Sequence, residues 1–139
     1  MKPLDKVLLH RAIDCLCLQG ILKTEKGKNG RPLPLLDSEF ETICNHFIFD
    51  SYNIGLEQAI IFCEQAPKGD GLEQKRFQFC QALLQWLDPA SRHSNLLAHI
   101  HNHPLPLQDK LHHDIHQALN YFKCSMQIGK RPKSQKKDL

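Results

Sequence analysis

Ser38-Glu39-Phe40-Glu41-Thr42-Ile43-Cys44-Asn45-His46-Phe47-Ile48 decides the fold class. Ser38 and Glu41 stand three apart, the spacing of a capping box. In it a serine hydroxyl and a glutamate carboxylate each satisfy one N–H at the start of a helix. Behind the box, Phe40, Ile43, Cys44, Phe47 and Ile48 fall on one stripe at the 3.6-residue period. The segment reads as an amphipathic helix, broken by Asp50-Ser51-Tyr52-Asn53.

The same period recurs on both sides of it. Upstream, a helix is expected from about Leu4 to Gln19, with Leu4, Val7, Leu8, Cys15 and Leu16 inward and Gly20 as its stop. Between the two lies Thr24 to Pro34, a polar loop with an Asn29-Gly30 turn signal. Pro32 and Pro34 lack N–H donors, so no regular second strand is expected there. Downstream, a third helix covers about Ile54 to Gln65 and stops before Pro67. Asp70-x-x-Glu73 is expected to cap a fourth, with Leu72, Phe77, Cys80, Leu84 and Leu87 inward, Leu83 beside that stripe and Trp86 partly exposed. Asp88-Pro89 breaks it, and residues 95–103 read equally as strand or helix. A last helix runs from about Gln108 to Ile128 on Leu111, Ile115, Ala118, Leu119, Phe122 and Met126, with Gly129 as the stop.

The expected fold is therefore all-α: one compact helical domain of five to six helices over residues 1–129, then a flexible basic tail over 130–139. The composition agrees. A chain of 139 residues, 41% hydrophobic, can bury a core without staples. Seven glycines are too few for a turn-dense β fold. No apolar run approaches the roughly 20 residues of a membrane span.

The net charge of +3 is unevenly placed. Five cations of the tail (Lys130, Arg131, Lys133, Lys136, Lys137) against Asp138 make it +4, which leaves −1 on the other 129 residues. A nucleic-acid-binding body normally carries a basic excess of its own. The tail reads as a solvated terminus, or as an electrostatic tether for an acidic partner. Six cysteines sit within apolar helical runs, and no signal-peptide apolar region opens the chain. They read as reduced core thiols in the cytoplasm.

Three signals bear on function. Seven of the nine histidines lie between His93 and His116, and neutral imidazole is a ready ligand for zinc. Within this run, His101-Asn102-His103-Pro104 followed by Asp114 resembles the zinc motif of the JAMM metalloproteases and their bacterial RadC-type relatives. The resemblance covers about 14 residues. It implies that His101, His103 and Asp114 bind zinc, that residues 95–98 form the strand leading in, and that a helix carries Asp114. Leu111 stands where that family has its serine, and no upstream glutamate matches the family's catalytic position.

The second signal is Leu18-Gln19-Gly20-Ile21-Leu22-Lys23 with Gly27-Lys28-Asn29-Gly30-Arg31-Pro32. It resembles the end of a winged-helix module, a helix followed by a basic hairpin. That resemblance implies phosphate contacts from Lys23, Lys26, Lys28 and Arg31, which position nucleic acid without reading its sequence. The third signal is a helical body with a charged tail and few chemical motifs, which suits an adaptor, chaperone or regulator.

The sequence therefore reads as a non-enzymatic protein–protein interaction module, with Trp86 and Tyr52 as candidate contacts. The partner is another protein or a second copy of this chain, and no cofactor is expected. The alternatives are a zinc-binding protein with a degenerate His-x-His-Pro site and a nucleic-acid-binding regulator.

Overall fold

The computed structural model describes residues 5–26, 32–36, 38–65, 71–90 and 93–129. Among the described residues six helices pack as an all-α bundle, with one small hairpin inserted after the first: α1 (Lys6–Leu18), β1 (Leu22–Lys26), β2 (Pro32–Leu36), α2 (Ser38–Asn53), α3 (Leu56–Glu64), α4 (Leu72–Leu87), α5 (Leu96–His101) and α6 (Leu105–Gly129). Among the described residues no helix is long and apolar enough to cross a membrane.

α1 is capped at both ends by local chemistry. The Asp5 carboxylate accepts from Val7 N at 2.8 Å and Leu8 N at 3.3 Å. At the other end Gly20 takes φ +74°, which frees its N–H for Cys17 O and that of Ile21 for Leu16 O. This is the paired closure that a left-handed residue permits, and Ile21 is fully buried beside it. The expected stop at Gly20 is thus observed. Leu4 lies outside the described residues, and Val7, expected inward, is exposed.

The hairpin corrects the expected loop. β1 and β2 pair antiparallel, Leu22 with Leu36 through Lys26 with Pro32. Pro32 and Pro34 are two residues apart, so both missing donors fall on the same edge of the strand. A two-stranded sheet has outer edges that need no ladder donor, and there proline is tolerated. The Asn29-Gly30 turn lies outside the described residues.

Two further boundaries differ from expectation. α2 continues through Asp50 to Asn53 because Ser51 Oγ donates to Ile48 O and Asn53 Nδ2 to Phe49 O, so the polar side chains turn back onto the helix. The break comes at Gly55, with φ +102°. The cap position of α4 falls on Gly71 and no side chain caps it; Asp70 lies outside the described residues.

The core is a row of aromatic rings between α2, α4 and α6. Phe47 lies 5.5 Å from Phe79, and Phe79 lies 6.1 Å from Phe122. Phe122 in turn meets Trp86 edge-on at 6.0 Å. α6 buries the expected face, Ile115, Ala118, Leu119, Phe122 and Met126, with Leu111 partly covered. α4 does not keep to its expected stripe. It contacts α1, α2, α3, α5 and α6, so several faces are covered and Phe79, Ala82 and Trp86 are buried beside Cys80, Leu83 and Leu84.

The expected partial exposure of Trp86 is therefore corrected: it is 3% exposed. The Tyr121 ring stacks on it at 6.1 Å, the Arg11 guanidinium lies 4.6 Å above it, and Arg11 also donates to its carbonyl. Cys15, Cys44, Cys63 and Cys80 are buried free thiols, and Cys17 and Cys124 are half-buried. Burial pushes the Cys15 thiol up to about 11 and that of Cys44 up to about 12, which keeps both protonated and unreactive.

Candidate functional site: a histidine corner and an apolar groove

Within residues 95–103, which the sequence leaves open to strand or helix, Leu96–His101 form the helix α5. Asn95 caps α5, its Oδ1 accepting from Ala98 N at 2.7 Å. A second cap arrives from α3: the Glu64 carboxylate accepts from Leu96 N at 2.7 Å and from Leu97 N at 3.1 Å. Burial raises the Glu64 carboxyl above its usual range, and these two backbone bonds oppose the shift. Gln81 of α4 adds a bond to Ser94 O. The start of α5 is thereby fixed to both α3 and α4.

This placement closes a corner around Asp88, the residue at the end of α4. Its Oδ2 accepts from His93 N at 3.3 Å and lies 3.6 Å from His93 Nδ1 and 3.9 Å from His99 Nδ1. The two Nδ1 atoms are 2.8 Å apart, so one ring donates and the other accepts. Asp88 and His99 are both 6% exposed, while the His93 side chain, at 24%, opens the corner to solvent. His103 packs against His99 with ring centroids 4.9 Å apart, and its Nδ1 bonds to His99 O at 2.7 Å.

Asp88, His93 and His99 form the one grouping of three His, Cys, Asp or Glu ligand atoms close enough for a shared ion among the described residues. The motif residues His101, His103 and Asp114 are placed apart from one another. His101 is half-exposed and bonds Glu57 Oε1 through Nε2 at 3.0 Å. His103 is tied to the His99 carbonyl. Asp114, on α6, borders a depression with Arg11, Leu111 and Gln117. The strand implied for residues 95–98 is the start of α5 instead.

No family model, curated protein or solved structure matches this chain. The reading of its surface rests on residue chemistry alone.

The second feature is a groove between α2, α3 and α4. Ile43, His46 and Asp50 line one wall, and Phe62, Leu72 and Arg76 the other, over a floor of buried Phe47 and Cys63. Phe62 and Leu72 are 41% and 40% exposed, and the Arg76 guanidinium lies 4.6 Å over the Phe62 ring. Phe49 stands beside His46 on α2, at i+3, and is 65% exposed. Tyr52 is exposed as well and stacks on His116 at 5.4 Å. Of the basic candidates, Lys23 and Lys26 belong to β1. Lys28, Arg31, Lys130, Arg131, Lys133, Lys136 and Lys137 lie outside the described residues.

His99 and His116 are both held below the ordinary histidine range. For His99 burial is the main cause, with His103 and His93 adding and Asp88 opposing; for His116 it is burial, then His112 and His113. The unfolded chain thus takes up these protons first. Stability is full above a pH of about 6.5 and falls as the pH drops through the lowered folded values. Thermal melts between pH 7.5 and 5 should give a falling Tm, with a shallower slope for His116→Gln. Equal slopes would remove His116 from the account.

Proposed function

We propose that this chain is a non-enzymatic protein-binding module and that the α2–α3–α4 groove holds its partner. The observation carrying the reading is the pair Phe62 and Leu72, large apolar side chains left open on a groove with an apolar floor. Contiguous exposed apolar surface rimmed by polar groups is the usual mark of a docking site. The occupant is an amphipathic helical segment of another protein. Its apolar side chains lie between Phe62 and Leu72, and a carboxylate beside them reaches Arg76. The +4 tail favours the same acidic partner by raising the encounter rate rather than by setting specificity. Trp86 is buried and acts through the core, whereas Tyr52 extends the exposed aromatic surface next to Phe49.

The test is selection of displayed helical peptides on the immobilised chain, with Phe62→Asp and Leu72→Asp in parallel. Both side chains are only partly buried, so these variants should cost about 1–2 kcal/mol and keep the fold, which circular dichroism checks. The expected result is enrichment of peptides with apolar residues at i and i+4 flanked by Asp or Glu, and binding lost in both variants. Enrichment that both variants keep would place the contact elsewhere, and self-association alone would make the partner a second copy.

The nucleic-acid reading keeps one specific observation: α1 leads directly into an antiparallel hairpin, the element that the winged-helix resemblance implies. A labelled duplex bound with steep salt dependence, and released by Lys28→Glu, would favour it over the groove.

A further inference from the structure

The corner formed by Asp88, His93 and His99 has no part in the groove, and its atoms converge on a common point. The three ligand atoms form a triangle with sides of 2.8, 3.6 and 3.9 Å. Such a triangle has a point about 2.0 Å from every corner, the length of a zinc–nitrogen or zinc–oxygen bond. We propose that Asp88 Oδ2, His93 Nδ1 and His99 Nδ1 bind one divalent transition-metal ion, of which Zn2+ suits the donor set best.

Two imidazoles and one carboxylate fit zinc chemistry, whereas calcium and magnesium take oxygen ligands. The site has an anchored frame. Asp88 closes α4, its backbone N–H donating to Leu84 O at 2.7 Å, and Glu64 and Asn95 fix the turn that carries His99. His93 supplies the entry path from solvent. To pass from the shared hydrogen bond to ligation, the two Nδ1 atoms part by about half an ångström and Asp88 Oδ2 closes on both, so that all three separations approach the roughly 3.3 Å edge of a zinc tetrahedron. Both rings then carry their proton on Nε2, so the proton between the Nδ1 atoms relocates to Nε2 of its own ring and none is lost. Three protein ligands leave the fourth position to solvent. The ion would lock the end of α4 to α5, a structural role that leaves the groove untouched.

This site differs from the His101–His103–Asp114 set, and one experiment separates the two. Untagged full-length chain, stripped with EDTA and dialysed, is titrated with Zn2+ against a chromophoric chelator and with Co2+ read by its d–d absorption. The expected result is one ion per chain with a four-coordinate cobalt spectrum. Asp88→Asn and His93→Gln should each weaken binding at least about tenfold, and His101→Gln should leave it unchanged. His93 is partly exposed, so His93→Gln keeps the fold, which circular dichroism verifies. Absence of saturable binding at micromolar zinc, binding that survives both variants, or binding lost with His101→Gln instead would each overturn the assignment. Peptide binding is measured separately, so failure here leaves the groove reading standing.

Discussion

Trp86→Ala should lower the stability of the fold by about 3–5 kcal/mol, the range for deleting a large aromatic from a packed core. Trp86 meets Phe122 edge-on, stacks with Tyr121 and lies under the Arg11 guanidinium. Removing it opens a cavity where α1, α4 and α6 meet, and those elements contact each other pairwise. With ordinary domains stable by about 5–15 kcal/mol, the loss is a large share of the total. Urea melts followed by far-ultraviolet circular dichroism measure it, and Trp86→Phe should recover part of the loss by refilling the cavity. A cost below about 1 kcal/mol would mean that Trp86 contributes little to the packing.

The second large effect belongs to Glu64. Its carboxylate accepts two N–H groups of α5 that have no intrahelical partner. Glu64→Ala leaves both donors unsatisfied in a partly buried place and should cost about 2–3 kcal/mol. Glu64→Gln keeps an acceptor and removes a charge that burial disfavours, so it should cost clearly less. Amide exchange localises the effect: Leu96 and Leu97 should lose protection in the alanine variant before the rest of the bundle does. Equal costs for the two substitutions would mean that the capping bonds contribute little. If zinc binds the histidine corner, Glu64→Ala should weaken it too, since α5 carries His99.

The helical class was legible because apolar periodicity and capping chemistry are local. The stripe on α6 buries as read, and Gly20 ends α1 through the left-handed conformation that its missing side chain permits. What was not legible depends on tertiary surroundings. The α4 stripe holds at Leu87, which packs against the core, but not at Leu72 or Phe77, because five helices contact α4 and no single face defines its inside. Trp86 reads as peripheral on a helical projection, yet α1 and α6 bring Arg11 and Tyr121 over it.

The candidate site was legible only in kind. The density of histidines points to ligand chemistry, and the His-x-His-Pro spacing draws attention to His101 and His103. The residues that converge are Asp88, His93 and His99. Asp88 reads simply as a helix break, and its approach to His99 requires the turn that Glu64 and Asn95 fix. The one local signal was the spacing Asp88-x4-His93-x5-His99, which is too loose to stand out in a His-rich stretch. The groove was invisible for the same reason. Phe62 and Leu72 look like ordinary members of apolar stripes until the packing of α2, α3 and α4 leaves them open.

The central claim is that a partner docks between Phe62 and Leu72. The most direct measurement is amide and methyl chemical-shift mapping of the labelled full chain, titrated with the tightest peptide from the selection. The account predicts that the largest shifts fall on Ile43, His46, Asp50, Phe62, Leu72 and Arg76, with the β1–β2 hairpin and the Asp88–His93–His99 corner unmoved. Shifts concentrated on the hairpin or the histidine corner, with the groove silent, would contradict it.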